Sequence, residues 1–194
     1  MMGSAVLTPA AERRAFEVRL ASVSAGRLEG LAAPFGVTIT HGGTRERIEP
    51  GAFARSLVDG TDILALADHD LRKVIGRMRT GRLELAETGE GLTFGLDVAD
   101  TAAGRDVLAL AERGDLGGVS IGFWRKGTVE EQTRDEHGAV RVYRSINLRA
   151  VSIISAWPAY PTTANKRDTE LSDETASLAR ARRARRLRLA ELGA

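Results

Sequence analysis

The chain has 194 residues, 43% of them hydrophobic, 5% aromatic, and no cysteine. That composition supports one ordinary core built mostly from Leu, Val, Ile and Ala, and it excludes wholesale disorder, a disulfide scaffold, a thiol nucleophile and a Cys-based metal site. The net charge of +2 is uneven: residues 166–194 carry eight basic and five acidic side chains, whereas residues 1–165 carry 20 and 21, so the basic excess belongs to the tail.

Residues 1–14 read as a flexible leader of small residues without a sustained period. The charges at Glu12, Arg13 and Arg14, and the lack of a continuous apolar run, argue against a secretory signal. Phe16, Val18 and Leu20 alternate with Glu17 and Arg19, which predicts a half-buried strand. Leu28–Phe35 is a second apolar run, stopped by Pro34 and Gly36. Pro50-Gly51 punctuates the chain, and a short helix is expected over Ala52–Val58, ending near Gly60. Ile63–Ala67, Val74–Met78, Leu83–Glu87 and Leu92–Val98 read as strands. Asp100-Thr101 offers an N-cap to a helix with a stripe of Val107, Leu108, Leu110 and Ala111 and a stop at Gly114. Val119–Trp124, Gly127–Thr133, Val140–Leu148 and Val151–Ala156 follow as strands, with Asp135–Gly138 as a hairpin loop. Many short strands with internal helices predict a mostly β (α+β) barrel or sandwich. No apolar run approaches the roughly 20 residues of a membrane span.

Three histidines are candidates for chemistry. His41 precedes Gly42-Gly43 and His137 sits in the hairpin loop, so both read as solvated loop residues. His69 follows the apolar run Ile63–Ala67 between Asp68 and Asp70; taken alone it reads first as a packed structural histidine and second as a base. Ser120 lies in Gly117-Gly118-Val119-Ser120-Ile121-Gly122-Phe123, where glycines allow close backbone approach and free N–H groups. It is not a Gly-x-Ser-x-Gly elbow, because Val119 precedes it and a strand follows. There is no phosphate-loop lysine and no metal-ligand spacing, so no cofactor is expected. Arg180, Arg182, Arg183, Arg185, Arg186 and Arg188 in the tail, residues 166–194, sit among helix formers. The tail reads as a solvated helix or disordered segment, with anionic docking as the alternative; the near-neutral body and few aromatics make nucleic acid an unlikely partner.

Six segments in order resemble the prohead (capsid maturation) serine proteases of tailed bacteriophages, the HK97 type. They are Gly30–Gly36, Glu49–Leu57, Leu66–Asp70 with Val74–Arg77, Asp100–Leu116, Gly118–Phe123, and Leu148–Ser152 with Pro158–Thr162. The resemblance covers about residues 26–165, and the domain is placed at residues 16–165 behind a leader at 1–15. It implies a compact β-barrel similar to herpesvirus assemblin proteases, Ser120 as nucleophile and His69 as general base. It also implies action inside the procapsid, in the bacterial host cytoplasm. The major capsid protein and its scaffold segment would be substrates, followed by the protease itself as self-substrate or oligomer, with no membrane partner. In the resembled family a Glu on the closing strand completes the triad, and here Ala150 stands at that position. By period two, Leu148, Ala150 and Ser152 are expected on one face. Three readings follow for Ala150: another group such as Glu136 or His137 serves, a Ser–His pair works slowly, or the copy is inactive and acts as an assembly protein.

Overall fold

The computed structural model describes residues 11–16, 20–24 and 26–156. The tail at 166–194 and the Pro158–Thr162 segment lie outside the described residues. Eleven strands and two α-helices follow one another: β1 Ala11–Phe16, β2 Leu20–Ser24, β3 Arg27–Pro34, β4 Thr38–His41, β5 Thr44–Ile48, α1 Ala54–Val58, β6 Leu64–Ala67, β7 Val74–Arg77, β8 Leu83–Glu87, β9 Gly91–Asp97, α2 Ala102–Arg113, β10 Gly118–Asp135 and β11 Gly138–Ile154. No described helix is long and apolar enough to cross a membrane.

Of the expected leader at residues 1–15, the described part is structured: Ala11–Phe16 is a strand paired antiparallel with β10 from Ala11↔Trp124 to Phe16↔Val119. Residues 1–10 lie outside the described residues. The four strands expected between Val119 and Ala156 merge into two long ones. They form one hairpin closed by Glu136-His137, with Asp135 Oδ1 accepting from the His137 N–H at 2.9 Å. A further hairpin, β4–β5, occupies what reads in sequence as a Gly-rich loop. Gly42 and Gly43 both have positive φ, 53° and 76°, which the twist of a two-residue hairpin turn requires. His41 therefore ends a strand and is half-buried rather than solvated.

The helix over Ala102–Arg113 forms where its caps predict. Thr101 Oγ1 accepts from the Gly104 N–H at 3.1 Å, and Gly114 takes a left-handed φ of 78° while Asp115 N–H reaches back to Leu110 O at 2.8 Å. A Cβ on Gly104 would stand 1.9 Å from Ala99 O, so this turn needs glycine for close approach.

The sheets do not close into the expected barrel. One sheet runs β1-β10-β11-β5-β4, with β6 and β7 added on β11, and the other runs β2-β3-β9-β8. Closure requires the first and last strands to pair. Here β1 joins β10 while β2 crosses to the second sheet. β11 also changes its parallel partner along its length, from β5 at Arg141–Tyr143 to β6 at Ala150–Ile153. Leu28, Leu92, Phe94 and Leu96 of one sheet and Val119, Ile121, Val151 and Ile153 of the other belong to the same buried core.

Candidate active site

The site begins with register. Ser120 on β10 pairs with Ala15 on β1 and Ser152 on β11, and Ser152 pairs with Leu66 on β6. Directly opposed residues share a face, so Ala15, Ser120, Ser152 and Leu66 form one transverse row. The neighbouring row on that face is Arg13, Gly122, Ala150 and Leu64. Val119, Ile121, Val151 and Ile153 point the other way, into the core.

A bulge corrects the expected pattern on β11. Phe123 pairs with Leu148 and Gly122 with Ala150, so Arg149 is an extra residue in the ladder. Leu148 consequently sits opposite Phe123 and joins the core, whereas Ala150 and Ser152 face the Ser120 row. The three residues do not share one face.

His69 stands in a tight turn at the end of β6. Asp68 and His69 both adopt left-handed backbone, with φ of 51° and 59°. Non-glycine residues reach that region at a cost of order 1–3 kcal/mol each, and the surroundings must over-determine it. They do so here. Asp68 N–H donates to Ile153 O at 2.9 Å, Asp70 N–H to Ala67 O at 3.0 Å, and Lys73 N–H to Asp70 O at 2.8 Å. The Asp68 carboxylate accepts from Ser155 N–H at 2.7 Å and from Ser155 Oγ at 2.9 Å, and Asp70 accepts from the Arg72 guanidinium. That last pairing holds the Asp70 carboxyl down at about 2. Burial pushes the His69 imidazole down to about 4, with the charge of Arg13 acting the same way and Asp68 opposing. The imidazole is thus neutral at physiological pH, the form in which it accepts a proton.

The two candidate groups are not yet hydrogen-bonded to each other. Ser120 is fully buried and its Oγ donates to Arg14 O at 3.0 Å. His69 Nδ1 is buried without a partner, as is Ser152 Oγ, although Ser152 is also fully buried. Ala150 is buried and offers no polar atom. Glu136 and His137 sit at the exposed hairpin tip, 15 residues along β10 from Ser120, paired with each other at 3.3 Å. Among the described residues no group of three or more His, Asp or Glu is placed to hold a metal ion.

Sequence reasoning passes over four residues around Ser120. Arg14, Glu46 and Tyr143 form a buried network on the core side, and Ser152 lies in the serine row. The period-two pattern contains a signal for Ser152, which follows Ala150 by two. Arg14 and Glu46, 32 positions apart, carry none.

No curated protein and no solved structure matches the chain. The model of one family does, and it is described as caudovirus prohead serine protease, matching residues 14–176. That span contains His69, Ser120 and Ala150 together with nearly all of both sheets. The chain belongs to the caudovirus prohead serine protease family.

Proposed function

We propose that this serine protease uses Ser120 as nucleophile and His69 as general base to cut scaffold segments of the major capsid protein inside the procapsid, and then itself. The supporting observations are the contact of Ser120 Oγ with a peptide carbonyl at 3.0 Å and, in the turn that follows β6, an imidazole whose buried Nδ1 has no partner. A serine hydroxyl is a weak nucleophile until a base takes its proton. In the proposed reaction His69 accepts that proton as Oγ attacks the carbonyl carbon, then gives it to the leaving amine, and water releases the acyl group by the reverse path. The neutral state of His69 suits the first step.

A second reading has its own support. Ala150 removes the carboxylate that would steady an imidazolium, and Arg13 opposes that charge further. Loss of the third triad member lowers turnover by about 10^4 in well-studied triads. A slow enzyme, or an inactive copy serving assembly, is therefore the competing function.

Co-expression with a cognate major capsid protein, followed by intact-mass measurement, tests the first reading. Discrete scaffold-free products are expected from the parent and none from Ser120→Ala. Uncut capsid protein with both would overturn it in favour of the second. Ala150→Glu is expected to speed cleavage if the pair is slow and to leave a dead copy dead, with thermal stability followed because a buried carboxylate without a partner destabilises the fold.

A further inference from the structure

β1 meets the rest of its sheet through β10 alone and forms its edge. Its contacts at Ser120 have two parts. The carbonyl of Arg14 accepts from the candidate nucleophile at 3.0 Å. The Arg14 side chain turns to the opposite face and enters an enclosed acidic and aromatic pocket. There its Nε donates to Glu46 Oε2, and its Nη2 donates to Glu46 Oε1 at 3.0 Å, to Tyr143 Oη at 2.9 Å and to Glu12 at 2.7 Å. The guanidinium also lies 5.4 Å from the Phe123 ring centroid and 5.8 Å from that of Tyr143. Arg14 and Glu46 are 4% and 2% exposed.

We infer that the flank of β10 now covered by β1 is a docking track for an extended polypeptide bearing an arginine, whose guanidinium takes the Glu46–Tyr143–Phe123 pocket and whose carbonyl meets Ser120. β1 then occupies the track in cis as a stand-in. The inference rests on the proposed role of Ser120 for its catalytic meaning, though not for the binding itself.

Three physical arguments carry it. A strand added to a sheet edge gains main-chain hydrogen bonds from any sequence, so side-chain pockets must supply selectivity. Here one pocket is built for a planar cation: two carboxylate oxygens, a phenol oxygen and two ring faces surround the guanidinium. Finally, a vacated pocket leaves Glu46 buried with the Tyr143 hydroxyl at 3.1 Å and, of its two guanidinium partners, only Arg141 at 3.2 Å, which is itself shared with Glu130. A buried carboxylate deprived of its main partner is strongly unfavourable, so the incoming chain must bring a cation of its own.

The test uses the full-length chain with Ser120→Ala, so that nothing is consumed, and a labelled peptide with the sequence of residues 9–18. The cis strand competes at high effective concentration. Adding Arg14→Ala to the chain is therefore expected to tighten peptide binding by about tenfold or more, and alanine in place of the peptide's own Arg14 equivalent to weaken it by a similar factor. Hydrogen exchange on the Ser120→Ala chain alone gives a second measurement, independent of whether the Arg14→Ala chain folds. Excess arginine peptide should expose the amides of residues 11–16 while β3 and β9 stay protected. Equal binding of the arginine and alanine peptides, or unchanged exchange in β1 at saturating peptide, overturns the inference. Arginine-dependent binding, together with a parent Ser120 chain that cuts no capsid protein, would leave the track and remove the catalytic role. Capsid cleavage without arginine-dependent binding would do the reverse.

Discussion

The two faces of the sheet at Ser120 handle buried polarity in opposite ways. On the core face, Arg14, Glu46 and Tyr143 satisfy one another. Burial works against the Arg14 charge, and the hydrogen bonds and charge of Glu46 overcome it, raising the guanidinium above its ordinary value; burial lifts the Tyr143 hydroxyl to about 12. On the opposite face, Ser152 Oγ is buried without a partner and Ser120 Oγ has only a backbone carbonyl; in the turn after β6, His69 Nδ1 is also buried without a partner. Buried polar atoms in folded proteins are nearly always paired, and exceptions concentrate at functional sites. The difference separates a network that fixes β1 against the core from a serine row whose hydroxyls have few or no partners.

The largest expected effect breaks the open face. His69→Ala should lower cleavage of the capsid substrate by at least about 10^3-fold, since it removes the proposed general base. Its fold should remain intact by circular dichroism. A variant that cuts at the parent rate would move the base elsewhere.

Breaking the satisfied face should instead show in stability. Glu46→Ala leaves Arg14 buried without its main partner and is expected to destabilise by about 3–5 kcal/mol, read by denaturant titration. A change below about 1 kcal/mol would mean that Glu12 and Tyr143 suffice for Arg14.

Two serines sharpen the comparison at smaller scale. Ser56 Oγ donates to Ile146 O at 2.7 Å and accepts from Leu148 N–H at 3.0 Å, which ties α1 to β11. Ser56→Ala orphans both backbone groups, and about 1–3 kcal/mol should be lost. Ser152→Ala removes a hydroxyl that bonds nothing and should change stability by less than about 1 kcal/mol. A large loss at Ser152 would assign that hydroxyl to the structural side of the comparison.

The smallest effect is the pH dependence of the imidazole. His69 binds its proton less readily folded, at about 4, than in an unfolded chain near 6.5. Between those values the unfolded state holds more protons, so stability rises with pH through the window and is lost as pH falls through it. Thermal melts of the parent and His69→Ala between pH 7 and 5 should differ in slope, the parent declining more on acidification. Arg13→Gln should raise the imidazole pKa in an NMR titration; no change would place Arg13 outside its reach.

Local signals in the sequence determined the strands with period-two alternation, the capped helix over Ala102–Arg113 and the hairpin tip at Asp135–Gly138, while a run of short motifs in order pointed to the family. Each of these depends on neighbours within a few positions: an N-cap hydroxyl, a left-handed glycine, alternating side chains, or a short motif. Tertiary structure alone decided whether the sheets closed, where β1 docked, and which residues faced Ser120. A single bulge at Arg149 sent Leu148 into the core and Ala150 to the site, because one inserted residue reverses every later side chain relative to its partner strand. The pairing of Arg14 with Glu46 was settled the same way. It joins residues from an edge strand and a hairpin that meet only after β10 and β11 have brought them together, and no spacing along the chain records that distance.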